Sequence, residues 1–302
     1  MTNQLFTQLN SESLRMVQPI VETAPEMSRI EALNENVRKE VLDFLNVRPV
    51  HTVVMASFIN DNGLESDLNR GKFFGYRNAM GKLEGVALIG HSTLVEARSD
   101  EALKALAAQA RSSATPIHMI MSHGNAAETF WAHFSNGLSE PRLKCVESLF
   151  EVSYPMFVQR SSRELRPATA DELLPVAEAQ AEIAFMECGV DPMVRDREGF
   201  LKRVLRRIEQ GRVFVVFEGE KLVFKADIIA ETDDVAYLEG IYVAPEYRGK
   251  GIGPACLNAL AIDLLDRVGN VCMLSNVDFE GAHRSYLKAG FARAGECVTL
   301  FV

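Results

Sequence analysis

Arg248, Gly249, Lys250, Gly251 and Gly253 fall within six consecutive residues, between a strand pattern and a helix pattern. That combination can hold a phosphate. A helix start offers unpaired N–H groups and the positive end of the helix dipole, and the two cations add to both. Bare glycine backbone lets a ligand approach closely. Two common cradles are excluded by spacing. A dinucleotide fingerprint counted from Gly249 and Gly251 needs its third glycine where Pro254 stands, and the nucleoside-triphosphate loop needs Ser or Thr after its Gly-Lys, where Gly251 stands. What remains is a pyrophosphate site of another kind; a glycine-rich surface turn is the plain alternative.

The flanking residues fit such a site. Tyr237, Leu238, Ile241, Tyr242 and Val243 suit a strand, Gly240 interrupts it where a bulge would splay the backbone, and Pro245 ends the ladder. Pro254 suits the first turn of a helix carrying Ala255, Leu257, Leu260, Ala261 and Leu264.

With its preceding strand LEGIYVAPEY, the run RGKGIG resembles the Arg/Gln-x-x-Gly-x-Gly/Ala signature of the GNAT N-acetyltransferases. The resemblance implies that acetyl-CoA is held by Arg248, Gly249, Lys250, Gly251, Ile252 and Gly253, with backbone groups of Ile241 and Val243 on the pantetheine arm. A second motif agrees: Ala282, Tyr286, Gly290 and Phe291 keep the family's spacing, and the family's Tyr protonates the departing thiolate. Tyr286 is therefore the candidate general acid, with plain core packing as the alternative. One position departs: the family often has Asn where Phe279 stands, so Asn276 either replaces that contact or the contact is missing.

Acetyl transfer needs a neutral amine, because an ammonium has no lone pair. Glu239, one residue before the bulge glycine, is the candidate base, directly or through water; its surroundings LEGIYV are similar to the central strand of the aminoglycoside N-acetyltransferases. A solvated strand carboxylate is the alternative. The resemblance implies an acetyl-CoA-dependent N-acetyltransferase working by direct attack, without a covalent enzyme intermediate. Its acceptor is expected to be a primary amine of a small molecule, such as a polyamine, amino sugar or amino acid derivative. A protein lysine or N-terminal amine is the runner-up, and a non-catalytic acyl-CoA sensor is the reading from another class.

Several other residues carry less. His118 and His123 lie in or beside a buried strand pattern at a spacing that does not favour a shared metal, and His283 reads as exposed on its helix. Asp227 either meets a cationic acceptor or pairs with Lys225; Lys202, Arg203, Arg206 and Arg207 read as a solvated face. Five scattered cysteines without a C-x-x-C pair point to buried thiols, and no metal site is expected.

These residues must be positioned by elements spread over 302 residues, a length that favours two domains. With 47% hydrophobic and 24% charged residues the chain reads as globular, and a net charge of -9 argues against nucleic-acid binding and for small or basic partners. No run is long enough to span a bilayer and the N-terminus lacks a leader pattern, so a cytoplasmic protein is expected; oligomeric state, a homodimer included, stays open. The first 50 residues read as helical, with Ile30, Leu33, Val37, Val41 and Leu45 in phase. HTVVMASFI and KFFGYRN read as strands or buried runs, followed by KLEGVALIG, STLVEA, a helix capped at Ser99, the strand PIHMIMSHG, a second helix and a closing strand, RLKCVESLFEVS.

A polar segment from Tyr154 to Ser162 separates the halves. After it come a short strand, a helix capped by Thr169 or Asp171, a basic amphipathic helix, a hairpin across Gly219, the Tyr237 strand with its phosphate helix, the strand NVCMLSNV, the Tyr286 helix and a last strand, ECVTLFV. The expected fold is α/β: two tandem GNAT-like domains, each a mixed central β-sheet flanked by helices. Residues 1–153 would hold a helical segment and a degenerate copy without the cofactor motif, and residues 163–302 the acetyl-CoA-binding domain.

Overall fold

A computed structural model describes residues 29–159 and 163–302. The expectations for residues 1–28 and for the serines ending the linker, Ser161 and Ser162, lie outside the described residues. In chain order the elements are β1 (Ile30–Ala32), α1 (Arg38–Leu45), α2 (Pro49–Asn62), β2 (Gly71–Arg77), β3 (Leu83–Gly90), β4 (Ser92–Ala97), α3 (Asp100–Arg111), β5 (Met119–His123), α4 (Ala126–Ser135) and β6 (Leu143–Val152). The second half follows with β7 (Arg166–Pro167), α5 (Leu173–Cys188), α6 (Pro192–Arg195), α7 (Arg197–Glu209), β8 (Val213–Glu218), β9 (Lys221–Glu231), β10 (Val235–Val243), α8 (Ile252–Leu265), β11 (Asn270–Asn276), α9 (Glu280–Ala289) and β12 (Ala292–Phe301).

The twelve strands make one sheet, in the order β1-β2-β3-β4-β5-β12-β6-β11-β10-β9-β8-β7. Each half repeats one plan. Four strands meander antiparallel, a helix crosses over to a parallel fifth strand, and a second helix leads to a final strand. The final strands are exchanged: β6 of the first half pairs with β11, and β12 of the second pairs with β5. The two then pair antiparallel with each other at the centre, Val298 opposite Val146. RLKCVESLFEVS and ECVTLFV were each expected to close their own half; each instead closes the other's, so the linker does not divide the sheet.

Two sequence expectations are corrected. Ile30 and Ala32 are strand, with Ile30 opposite Tyr76, and Leu33 follows the strand, so the helical phase of Val37, Val41 and Leu45 does not extend back to them. HTVVMASFI, read as a strand or a buried run, is a buried helix: Pro49 stands in the first turn of α2, where a missing N–H costs nothing. Its buried residues Val53, Ala56 and Ile59 keep helical spacing, and the β-branched residues that suggested a strand sit inside it.

Alternation along the strands sends successive side chains to opposite faces. Val213 and Val215 pack toward α5 and α7, while Phe214 and Val216 join the core under α8 and α9. Helices α1 and α2 pack with β2–β4 residues, and α3 and α4 form another core with Ile120, Val298 and Leu300. Helix α2 also reaches across the halves. Val53 packs with Leu149, Val235 and Tyr237, the Ser57 hydroxyl accepts the Glu231 N–H at 3.1 Å, and Asp61 holds Arg212 at 2.6 Å.

Candidate active site

The strand before the glycine turn folds as its sequence suggests. In β10, Glu239 lies opposite Asp227 and Tyr242 opposite Lys225, so three steps on β10 face two on β9. The extra residue is Gly240, at φ +60°, where a Cβ would stand 2.5 Å from Gln180 Oε1 and 2.7 Å from Lys225 Nζ. A bulge of this kind re-aims a side chain. Pairing of β10 with β11 runs from Val235–Asn270 to Leu238–Met273 and stops, although β10 continues to Val243 and β11 to Asn276. The two strands therefore part at the bulge, with β11 still paired to β6 through Asn276.

Just beyond the gap lies the start of α8. Gly251 is its N-cap residue, in the left-handed conformation at φ +78°, with no side-chain cap and no acidic residue in the first turn. Nothing lies within 4 Å of a Cβ built on Gly249 or Gly251, so the surface above them is open. Arg248 is half exposed, its Nε donating to the Val243 carbonyl at 2.9 Å, and the Lys250 ammonium lies 5.3 Å from the Tyr247 ring centre. The equivalent helix of the first half is closed. Ser99 caps α3 through the Ala102 N–H, and Asp100 and Glu101 occupy its first turn, so one of its N–H groups is taken and its charge repels a phosphate.

Ile241 and Val243 pack toward the α8 core. Asn276 ends β11 across the gap; its Oδ1 accepts the Asp278 N–H at 2.9 Å, and its carbonyl accepts from His283 Nε2 at 3.0 Å. His283 is therefore half-buried against Phe150 rather than exposed on its helix. Phe279, 37% exposed, precedes α9.

Tyr286 and Glu239 approach from opposite faces of the sheet. Tyr286 is 7% exposed, in the core under α8 and α9, edge-on to Phe150 with ring centres 5.3 Å apart. Burial pushes its phenol up to about 12, against the pull of the Ser275 hydroxyl, so it keeps its proton at neutral pH. Glu239 is half-buried on the face of α2 and α5. Burial raises its carboxyl, while a hydrogen bond from Tyr237 and the Arg207 and Lys225 charges lower it.

Under Glu239 lies a buried network. Lys225, 0% exposed, is ion-paired with one Asp227 oxygen at 2.7 Å and donates to Gln180 at 2.7 Å and the Gly240 carbonyl at 3.1 Å, and Arg207 donates to the other Asp227 oxygen at 2.7 Å. Asp227 is thus spoken for by Lys225 and Arg207 and faces no acceptor, and Arg207 is not part of a solvated face. The network pins the bulge that presents Glu239.

Two further carboxylates join Glu239, and neither was singled out from the sequence. Glu147, on the exchanged strand β6, is raised by burial and by Glu239, against a hydrogen bond from Thr299 at 2.5 Å. Glu187, in the last turn of α5, keeps an exposed side chain; partial desolvation of its carboxyl and then the charges of Glu239 and Glu147 push it up to about 7. Alternation in LKCVESLFEV puts Glu147 on the face of the buried Leu149, a readable signal; its partner strand was not readable.

Residues 175–291 match the family model described as the acetyltransferase (GNAT) family. The second half of the chain carries a GNAT domain. Solved structures extend the likeness to the whole fold. A GNAT-family acetyltransferase from Colwellia psychrerythraea is 16% identical with a TM-score of 0.57, over 90% of this chain and 98% of that one. A tandem GNAT protein from the clavulanic acid biosynthesis pathway is 12% identical with a TM-score of 0.56, over 90% and 97%. A GCN5-related N-acetyltransferase from Sphaerobacter thermophilus is 14% identical with a TM-score of 0.54, over 90% and 95%. At these identities the likeness is one of fold: two GNAT-like domains in tandem. No curated protein gives a significant match. Among the described residues, no helix is long and apolar enough to cross a membrane, and no cluster of His, Cys, Asp and Glu has the geometry of a metal site.

Proposed function

We propose that the protein is an acetyl-CoA-dependent N-acetyltransferase for a primary amine of a small molecule, acting in the cytoplasm. The GNAT fold supports acyl transfer in general. The observation that carries the finer reading is the meeting, at one splayed gap, of an uncapped helix start and a carboxylate cluster fit for a cation.

The residues at the gap suit acetyl-CoA, which would supply the activated acetyl group. Its pyrophosphate would be held by the N–H groups from Gly249 to Gly253 with the charges of Arg248 and Lys250, and its arm by the unpaired edge of Ile241 to Val243 and by Asn276. Glu147 and Glu187 draw an ammonium toward Glu239. Glu239, directly or through a water, removes the proton that keeps the amine from attacking. Tyr286 holds a proton at the opposite face of the gap, where it can meet negative charge developing on sulfur. In this reading residues 163–302 carry the cofactor site, and the first half contributes Glu147. Release of free thiol from acetyl-CoA in the presence of an amine panel tests the proposal; release by no small amine would refute it.

A further inference from the structure

Tyr237 sits where the sheet is still whole. On β10 it is paired with Cys272 of β11 and Ala230 of β9, whereas Glu239, two residues on and on the same face, lies just past Leu238, the last residue of β10 paired to β11. The carboxylate therefore stands on backbone that has lost one neighbouring strand, and the Tyr237 phenol reaches it with a hydrogen bond from the intact part. Burial, then the Glu239 and Glu147 charges, hold that phenol well above its ordinary value, so it keeps its proton and acts as a donor. The ring is also locked. It is 4% exposed and packs with Val53 of α2 and Leu149 of β6, both from the first half, and the space left between α2 and the sheet is only about 40 Å³.

The charged groups that act on Glu239 come from the elements around it: Asp227 and Lys225 on β9, Arg207 on α7, Glu187 on α5 and Glu147 on β6. Lys225 and Arg207 are already paired with Asp227, and burial keeps the His51 imidazole of α2 and the Cys272 thiol of β11 uncharged. Burial favours the neutral carboxyl, and the largest pull toward the carboxylate is the Tyr237 hydrogen bond, ahead of the two paired cations.

We infer that Tyr237 is the positioning residue of the base: wedged by Val53 and Leu149 of the first half, its hydroxyl holds Glu239 in place as a carboxylate, whose remaining lone pairs are left for the amine proton. This rests on the acetyltransferase reading and deepens it. The first half, which has lost its own cofactor turn, then acts on the chemistry of the second through one ring.

Tyr237→Phe keeps the ring and removes the hydroxyl, and the test is the pH profile of kcat/KM by thiol release, with the best acceptor among ethylamine, putrescine and glucosamine. Losing a hydrogen bond to a charged group raises the carboxyl, so the acid limb should move up by about one pH unit, with coenzyme A affinity unchanged within about two-fold. Val53→Ala, which frees the ring and spares the hydroxyl, should move the limb the same way by less. A limb at its wild-type pH in Tyr237→Phe would overturn the inference whatever happens to Tm, because lost packing alone lowers stability and leaves the limb where it is. A limb moved by Tyr237→Phe and unmoved by Val53→Ala would overturn the part given to the first half. A second arm needs neither acetyl-CoA nor amine: carboxyl titration by NMR should find Glu239 higher in Tyr237→Phe than in wild type, and equal titration would refute the hold of Tyr237 on Glu239. Turnover of no amine would refute the acetyltransferase reading, while this titration would still decide whether Tyr237 governs the carboxylate.

Discussion

Glu147, near the middle of β6, is paired directly opposite Asn276 at the end of β11. A residue of the first half thereby sits against the gap where β10 and β11 part. The exchange of final strands makes this possible, and on the proposed reading neither half holds the site complete.

Replacing Glu239 by Gln should lower kcat/KM about 10²- to 10⁴-fold at neutral pH, the usual contribution of a positioned base. Coenzyme A affinity by calorimetry should stay within about two-fold, because Glu239 lies away from the α8 glycines. Undiminished turnover would return Glu239 to a structural carboxylate.

Tyr286→Phe should lower kcat while coenzyme A binding holds. The ring keeps its edge contact with Phe150, so the stability cost should be limited to the lost hydrogen bond with Ser275, about 1 kcal/mol. Unchanged kcat would mean that Tyr286 serves the core and not the chemistry.

Carboxyl titration by NMR should find Glu187 at about 7 in wild type and lower in Glu239→Gln, since partial desolvation and then the Glu239 charge raise it. The sign for stability follows from linkage. A carboxyl raised in the folded state binds more protons there than in the unfolded chain. Its contribution is therefore present on the acid side and is lost as pH rises from the ordinary carboxylate range through about 7. Chemical denaturation of wild type and Glu187→Gln over that window should show the wild type losing this increment and the variant not.

Lys225→Met should cost about 3 kcal/mol of stability by denaturant unfolding, because it leaves buried Asp227 with only one cation and the Gly240 carbonyl without its donor. A loss below about 1 kcal/mol would show that the network is not what pins the bulge.

Much of the local structure around the candidate site was legible in the sequence because its signals are local. The turn at Arg248–Gly253, the bulge at Gly240 and the spacing from Ala282 to Phe291 each depend on neighbouring residues. Glu147 and Glu187 were not legible, since their meeting with Glu239 depends on which strand lies beside which. The exchange of β6 and β12 was hidden for the same reason: a strand's pattern shows which face is buried, not its partner. HTVVMASFI read as a strand or a buried run because a short apolar stretch suits either; Pro49 in the first turn and the helical spacing of Val53, Ala56 and Ile59 make it a buried helix.

The most direct test of the central claim is calorimetric titration of coenzyme A into wild type and into the double variant Arg248→Ala, Gly251→Asp, with circular dichroism confirming that both are folded. Gly251 is left-handed at φ +78°, so Asp there costs some stability, but nothing stands within 4 Å of a Cβ and Asp is among the residues that adopt this conformation; the variant should fold, with its new carboxylate where the phosphates belong. Saturable one-to-one binding to wild type and none to the variant is the expected result. Equal affinity in the two proteins, or no binding to wild type, would contradict the assignment of the α8 start as the acyl-CoA site.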